Sequence, residues 1–266
     1  MNIRFSQDAG LKLLFKRRLD YKTHPRYLDL AQNTVNEMAQ YIKTKEIVKE
    51  LFDDKKILAI DFCTGTGLFA ISILSAICVD KIILLDVDKR FINFTRKRLK
   101  EHSNIEFILE DALTFTAEEK AHLILLGSAY HHIEDSKKII FLRNVERNLR
   151  SDGYVLMADH FIPVYNNEED YSHSIVEFYS KLIKYLELVG TSSTAIRIIK
   201  QVAYYGYIHE YEYKVSYKIF RDHLNQTNLV VGKEYRVWPE RNGKFLDPKV
   251  GSFVIVLRKK EQSYEK

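Results

Sequence analysis

Short apolar runs alternate with amphipathic stretches through the middle of the chain. The runs predict strands at about 56–61, 81–86, 105–109, 122–127 and 153–159, with helices at about 67–78, 88–101 and 136–149. Continuous apolar strands that alternate with helices are typical of a parallel sheet covered on both faces. Because the crossovers are right-handed, the carboxyl ends of these strands should share the edge of the sheet where ligands bind.

Helical patterns flank this alternation on both sides. Residues 1 to about 54 are predicted to be helical, and the spacing over 27–42 indicates an amphipathic helix. This segment is either a packing helix against the sheet or a cap over a binding site. Residues 164–212 are tyrosine-rich and helical in pattern, and 213–225 resembles another helix. Alternating residues at 230–238 and 252–258 indicate two closing strands.

Composition narrows the class of protein. At 266 residues with 46% hydrophobic content, the chain can form one α/β domain with an insertion. It has no run of about 18 uncharged apolar residues, so no membrane-spanning helix is expected. The first residues lack the apolar stretch of a secretory signal, and two cysteines without metal-type spacing suit a cytoplasmic location. We attribute the net charge of +5 to solvated helix faces rather than to a nucleic-acid partner.

A tight turn follows the first predicted strand. The strand ends in Asp61, and Gly65 and Gly67 precede an apolar stretch at helical spacing. Glycines at such a turn let a ligand approach bare backbone. The turn also fits the loose dinucleotide pattern G-x-G-x-x-G/A, which keeps a nicotinamide cofactor as an alternative. A carboxylate at Asp61 would repel a pyrophosphate and attract a cationic ligand.

Residues 61–67, with the sequence DFCTGTG, resemble the first motif of the class I S-adenosylmethionine-dependent methyltransferases, D/E-x-G-x-G-x-G, with Cys63 at the first glycine. The resemblance covers about residues 55–160. It implies a doubly wound, mostly parallel, seven-stranded Rossmann-like sheet and S-adenosyl-L-methionine as the cofactor. We divide the chain accordingly into a helical N-terminal cap (1–54), a cofactor-binding core (55–162), a helical lid or substrate insertion (163–212) and a closing helix with an antiparallel strand pair (213–266).

Acids at successive strand ends are the main cofactor-binding candidates. Asp86, at the tip of the second strand, is predicted to accept hydrogen bonds from both ribose hydroxyls, unless it is only a helix N-cap. The resemblance implies that Asp111 binds the adenine amine and that the backbone near Ala112 reads the ring edge; the alternative for Asp111 is a turn aspartate. The predicted cofactor-binding set is Asp61, Cys63, Gly65, Gly67, Asp86, Val87, Asp111, Ala112 and Ser128.

The loop after the fourth strand bears on the type of reaction. It lacks the Asn/Asp-Pro-Pro-aromatic motif of enzymes that methylate amines of nucleic-acid bases. It also lacks the acid that metal-dependent catechol-type enzymes place there, so no metal is expected. His131 and His132 look like the paired histidines of small-molecule methyltransferases, and either could act as a general base. Packing under the loop is the alternative, and positioning alone could supply much of the rate.

The predicted function is methyl transfer to a small organic molecule, with a hydroxyl oxygen favoured over nitrogen or carbon. Candidates for substrate contact are Tyr130, His160, Tyr165, Tyr171 and Tyr179. Three alternatives stay open: an RNA methyltransferase, a cofactor-binding protein without turnover, and a nicotinamide dehydrogenase. The acceptor's identity and the oligomeric state are left open, and no membrane partner is expected.

Overall fold

The strands form one seven-stranded sheet. The computed structural model describes residues 24–52, 55–239 and 247–260. The strands are β1 (Leu58–Phe62), β2 (Lys81–Asp86), β3 (Ile105–Leu109), β4 (Ala121–Gly127), β5 (Leu149–Phe161), β6 (Leu229–Trp238) and β7 (Gly251–Lys259). Their order is β3-β2-β1-β4-β5-β7-β6. Neighbours among β1 to β5 pair in parallel, whereas β7 runs antiparallel to both β5 and β6.

The helices are α1 (Pro25–Gln32), α2 (Val35–Phe52), α3 (Leu68–Leu74), α4 (Lys89–Arg98), α5 (Lys138–Asn148), α6 (Glu168–Leu188), α7 (Ser193–Tyr207) and α8 (Tyr217–Leu224). Single 3₁₀ turns at Tyr130–His132 and Asp135–Lys137 lie between β4 and α5. None of the helices in the described part of the chain is both long and apolar enough to cross a membrane.

The predicted fold class, a doubly wound and mostly parallel seven-stranded sheet with an antiparallel closing strand, is confirmed. Several boundaries differ. β5 begins at Leu149 rather than near Gly153, and α8 begins only at Tyr217, where Ser216 caps it by accepting a hydrogen bond from the Ile219 N–H. The predicted helical segment 164–212 forms two helices, α6 and α7. Residues 1–23, the first part of the predicted cap, lie outside the described residues.

Three apolar clusters hold these layers together. One covers each face of the sheet, because both sides of the central strands carry buried apolar residues. The third joins α1, α6 and α7 through side chains such as Ala31, Phe178 and Ile199. A fully buried phenylalanine such as Phe178 contributes about 1.5–3 kcal/mol relative to exposure. The third cluster therefore fixes α1, α6 and α7 to each other, beyond the carboxyl edge of the sheet.

Candidate active site

The glycine turn after β1 has a left-handed backbone. The φ angles of Cys63, Gly65 and Gly67 are 59°, 53° and 77°. A Cβ added at Gly67 would lie 2.5 Å from Cγ2 of Thr95, so this position requires glycine for space as well as conformation. The Thr64 N–H donates to the Leu85 carbonyl at 2.9 Å, which anchors the turn to the end of β2.

The acids that end β1, β2 and β3 converge on this turn, as the strand-end argument predicts. Burial is the main factor that raises the pKa of the Cys63 thiol, and the charges of Asp86, Asp61 and Asp111 raise it further. These carboxylates belong to three different strand ends, yet each lies near enough to act on one thiol. The fold therefore gathers negative charge around the backbone turn.

Asp61 is 1% exposed, and its Oδ2 accepts a hydrogen bond from the Thr64 hydroxyl at 2.8 Å. Burial raises the pKa of Asp61 to about 7; the Thr64 hydrogen bond opposes this shift, and the nearby Asp86 charge adds to it. A buried carboxylate of this kind is stabilised in its ionised form by a positive charge beside it. The site thus fits a cationic ligand such as the amino group and sulfonium of S-adenosylmethionine.

Asp86 also holds the turn in place. Its Oδ2 accepts a hydrogen bond from the Gly65 N–H and its Oδ1 one from the Asp88 N–H, both at 2.9 Å. The cap of α4 is Asp88, whose side chain accepts from the Arg90 N–H. Each Asp86 oxygen has a second acceptor position, so the carboxylate can still receive the ribose hydroxyls. The ribose role of Asp86 stays a prediction.

The remaining predicted cofactor residues lie around this centre. Asp111 is exposed, and its Oδ1 accepts from the Leu113 N–H, which is a turn hydrogen bond. Ala112 is buried, and its carbonyl already accepts from Asn144. Val87 is 72% exposed. Ser128 has a φ of 51°. The roles predicted for these residues are not tested by their positions.

Helix α1 covers the glycine turn. The Thr66 hydroxyl donates to Oε1 of Gln32 at 2.6 Å. Arg98 donates to the Thr66 carbonyl at 2.9 Å and pairs with Asp29 of α1 at 2.7 Å. These polar contacts hold α1 against the glycine turn, and the role of residues 1–54 as a cap stays a prediction.

Beside the turn lies a cavity of about 60 Å³ between the sheet edge and helices α1, α2, α6 and α7. Its apolar wall consists of Leu28, Ala31, Phe178, Leu182, Ile199 and Val202. Its polar wall consists of Gln32, Asn36, Glu37, Ser128, His131, His132, His160, Tyr179, Glu212 and Lys214. Gln32 of α1 lines the cavity and also accepts the hydrogen bond from Thr66 of the glycine turn, so the two sites adjoin.

His131 is 5% exposed and pairs with Asp159, the last acid of β5. Its Nδ1 lies 2.6 Å from Oδ1 of Asp159, and its Nε2 faces Oε2 of Glu212 at 3.5 Å. Burial lowers the pKa of His131 to about 4, against the pull of Asp159. Burial alone would raise the pKa of Asp159, but the charge that His131 carries at low pH, together with hydrogen bonds from His131 and from the His160 N–H, holds it well below its usual range. His131 is therefore neutral near pH 7. Its Nδ1–H donates a hydrogen bond to Asp159, and the lone pair on its Nε2 faces the cavity.

Two buried charges opposite His131 escaped the sequence prediction. Glu212 and Lys214 are each 1% exposed and form an ion pair with each other. Burial would raise the pKa of Glu212, but Lys214 and both neighbouring histidines bring it down to about 2. The carboxylate is therefore ionised. An acid and a base two residues apart in the tyrosine-rich segment HEYEYK (209–214) are the sequence signal for this pair.

A third acid, Glu37 of α2, also escaped prediction. Its Oε1 lies 2.6 Å from Nε2 of His160, whose Nδ1 lies 2.8 Å from the Ser252 hydroxyl. The Ser128 hydroxyl donates to the other Glu37 oxygen at 3.3 Å. Both ring nitrogens of His160 are thus engaged by the protein. The usable signal was a run of polar residues on the inward face of α2, which includes buried Asn36, Glu37 and Gln40.

The tyrosines predicted to contact the substrate lie in different environments, and not all of them line the cavity. Tyr179 lines the cavity, with the Lys214 ammonium 5.6 Å from its ring centre. Tyr171 of α6 is buried: its hydroxyl donates to the Glu212 carbonyl and its ring stacks on His209. Tyr165 packs edge-on against Tyr171 at 5.1 Å and is outside the cavity lining.

Tyr130 requires a correction, because it does not reach the cavity. It is 1% exposed and packs against Phe220 in the core on one face of the sheet. Its hydroxyl lies 2.6 Å from Nδ1 of His223, and the Lys138 ammonium lies 4.4 Å from its ring centre. The 3₁₀ turn over Tyr130–His132 explains the difference, since it directs successive side chains to different sides of the loop.

Comparisons with known proteins agree with this geometry. Residues 59–153 match the family described as "Methyltransferase domain". The chain is 23% identical to malonyl-[acyl-carrier protein] O-methyltransferase 1 of Ilyobacter polytropus over 118 residues, which is 44% of this chain. The match spans only 41% of that relative's length.

Two solved structures share the architecture. One is the Burkholderia thailandensis 1,6-didemethyltoxoflavin-N1-methyltransferase with bound 1,6-didemethyltoxoflavin and S-adenosylhomocysteine (TM-score 0.54, 11% identity, 84% of this chain and 79% of that one). The other is N-methyltransferase NodS from Bradyrhizobium japonicum (TM-score 0.51, 13% identity, 86% and 99%). At these identities the likeness shows the fold alone.

Residues 59–153 therefore match a methyltransferase domain, and they lie in a sheet with the Rossmann-like class I arrangement. The predicted resemblance to the S-adenosylmethionine-dependent class, and with it the cofactor, is confirmed by the domain match together with the seven-stranded fold. The predicted roles of individual residues are not tested by these comparisons.

Proposed function

We propose that this protein transfers a methyl group from S-adenosylmethionine to a hydroxyl oxygen of a small organic acceptor. One observation carries the proposal: His131 lines a cavity that adjoins the glycine turn. Its Nδ1 is hydrogen-bonded to Asp159, and its Nε2 faces the cavity. An imidazole held in this way by a carboxylate is a proton acceptor with a fixed tautomer.

The cofactor's place is the glycine turn with its acids. Asp61 would hold the positive amino-acid end, Asp86 the ribose and Asp111 the adenine side. Gly65 and Gly67 would allow close approach of the backbone. When bound there, the cofactor supplies a methyl group that its sulfonium already activates. The chain then has to position the acceptor, exclude water and take up one proton.

His131 performs the proton transfer in this proposal. Its Nε2 accepts the hydroxyl proton, and the positive ring that results lies between the carboxylates of Asp159 and Glu212. Both acids are ionised and fixed before the reaction, so they stabilise the imidazolium without rearrangement. Asp159 and Glu212 are positioning residues, since they act through His131.

The cavity walls suggest the shape of the acceptor. Its reactive hydroxyl would lie on the polar wall, and its body would pack against apolar side chains of α6 and α7 such as Phe178, Leu182 and Ile199. Sites for drug-sized ligands measure about 300–1,000 Å³. Since this cavity is about 60 Å³, binding of such an acceptor requires α1, α6 and α7 to move apart. The enclosed geometry favours a small molecule over RNA.

A turnover screen tests the proposal. The protein with S-adenosylmethionine would be offered small phenols and aliphatic alcohols, with amines of matching shape as the comparison, and S-adenosylhomocysteine release would be measured. We expect release with a hydroxyl compound and, with His131→Asn, a kcat about 10²–10⁴-fold lower. Release only with amines, or an unchanged kcat in His131→Asn, would contradict the proposed chemistry.

A further inference from the structure

Three side chains at the cavity form a possible set of metal ligands that their spacing in the sequence does not reveal. His131, His132 and Glu212 each offer one nitrogen or oxygen, and these atoms all lie within 4.8 Å of one another. Nε2 of His131 is 3.5 Å from Oε2 of Glu212, and Nδ1 of His132 is 3.8 Å from its Oε1. Both carboxylate oxygens therefore face an imidazole.

The groups behind the histidines fit metal ligation. Histidines that bind metals almost always donate their second ring N–H to a carboxylate or a backbone carbonyl. Nδ1 of His131 is 2.6 Å from Asp159, and Nδ1 of His132 is 2.9 Å from the Tyr211 carbonyl. Both acceptors require the proton on Nδ1, so each histidine would bind the ion through Nε2, and the 3.8 Å distance from Nδ1 of His132 serves only to place that ring beside Glu212.

The turn that supplies Glu212 is strained and tied to the histidines. His209 and Tyr211 have φ angles of 55° and 61°, in the left-handed region that non-glycine residues rarely adopt. The Tyr213 N–H donates to the His131 carbonyl at 2.7 Å. This hydrogen bond holds Glu212 beside the two rings despite the strain.

Charge at the cavity also favours a cation. Three carboxylates line the cavity or support its wall: Glu37, Asp159 and Glu212. Against them, the described part of the wall contributes one permanent cation, Lys214. Because three carboxylates face one ammonium group, the polar wall carries an excess of negative charge, which a divalent ion would offset.

We propose that His131, His132 and Glu212 bind one divalent transition-metal ion of the zinc or cobalt type. Imidazole nitrogen with a single carboxylate suits these ions better than magnesium or calcium, which prefer oxygen donors. Three protein ligands leave at least one coordination position open toward the cavity. The ion would occupy the Nε2 lone pair that the proposed methyl transfer uses, so the ion and the transferred proton exclude each other.

Binding can be measured on the full chain without any cofactor. The metal-free protein would be titrated with Co²⁺, followed by its visible absorption, and with Zn²⁺ by calorimetry. We expect one ion per chain, with at least about tenfold weaker binding in His132→Asn and in Glu212→Gln. His132 is partly exposed, so its variant tests the site even if Glu212→Gln does not fold.

His160→Asn is the matched control, because its ring lies 6.0 Å from that of His131 but both of its nitrogens are already engaged. Circular dichroism would confirm that each variant is folded, and the control should bind Co²⁺ like the unmodified protein. Equal affinity in His132→Asn, or no binding at all, would overturn the metal site.

These outcomes are independent of the proposed function. Absence of ion binding leaves methyl transfer intact, and failure of the turnover screen with metal-free protein leaves the ion site intact. If both proposals hold, saturating Zn²⁺ should inhibit turnover, and His132→Asn should relieve that inhibition.

Discussion

The carboxylate of Asp86 at the end of β2 accepts a hydrogen bond from the Gly65 N–H of the turn that follows β1, at 2.9 Å. One side chain thus sets the backbone of the glycine turn and presents its remaining acceptor positions to a ligand. This hydrogen bond links the ends of β1 and β2. A substitution at Asp86 should therefore disturb both the glycine turn and the contacts that Asp86 would make with the ligand.

Asp86→Asn should weaken the binding of S-adenosylhomocysteine at least about tenfold, which corresponds to about 1.4 kcal/mol. The amide keeps one oxygen acceptor but presents N–H groups where the second acceptor stood. Calorimetric titration measures the change. Asp88→Asn is the matched control: Asp88 caps α4, asparagine caps helices equally well, and affinity should stay the same. Equal affinity in Asp86→Asn would remove the ribose assignment.

Asp61 should make cofactor binding depend on pH. Burial raises the pKa of its carboxyl to about 7, so the charged form that attracts a cation is lost as the pH falls through 7. We expect the affinity for S-adenosylhomocysteine to decrease between pH 8 and pH 6. Titrations across this range on the protein and on Asp61→Asn provide the check. A parallel decline in Asp61→Asn would assign the dependence to another group.

The two glycines of the turn should tolerate alanine unequally. Gly67→Ala places a Cβ 2.5 Å from Thr95 at a φ of 77°, whereas the nearest atom to a Cβ at Gly65 is 3.7 Å away. Both variants carry left-handed strain, and only the first adds a clash. We therefore expect Gly67→Ala to lower the free energy of unfolding by about 1–3 kcal/mol more than Gly65→Ala. Urea denaturation compares them, and equal losses would mean that Thr95 moves aside without cost.

His131 should contribute a pH dependence to stability. Its pKa is lowered to about 4 by burial, whereas histidine in an unfolded chain titrates near 6.5. Between these values the unfolded chain binds the extra proton, so this residue's contribution to the free energy of unfolding falls as the pH drops from 6.5 to 4. The expected change is on the order of 2–3 kcal/mol.

Urea denaturation at several pH values, compared with His131→Gln, isolates this contribution. The variant should lose less stability than the unmodified protein over the same range. Identical slopes for the two proteins would show that His131 is already protonated in the folded state, which would also remove it as the proton acceptor.

The sequence predicted the fold and the proximity of the strand-end acids because both follow from local rules. Apolar runs specified the parallel strands, and acids at their ends had to share one edge of the sheet. Asp61, Asp86 and Asp111 converge for that reason. The cap of α4 at Asp88 was predictable for the same reason, since a cap depends only on the residues that follow it.

The acceptor half depends on packing between distant segments, which no local pattern encodes. Glu37 reaches the cavity because α2 packs beside β5, and Glu212 and Lys214 reach it through a strained turn beyond the lid. Tyr130 shows the converse: its neighbour His131 faces the cavity, but a 3₁₀ turn sends the tyrosine into the core. Sequence proximity to a functional residue therefore did not predict a place in the site.

Calorimetric titration of the purified protein with S-adenosylhomocysteine, with NADH as a parallel control, measures directly whether the protein binds the proposed cofactor. We expect saturable binding of S-adenosylhomocysteine at one site per chain, weakened in Asp86→Asn, and no binding of NADH. Binding of NADH alone, or of neither compound, would contradict the assignment of the glycine turn and its acids as an S-adenosylmethionine site.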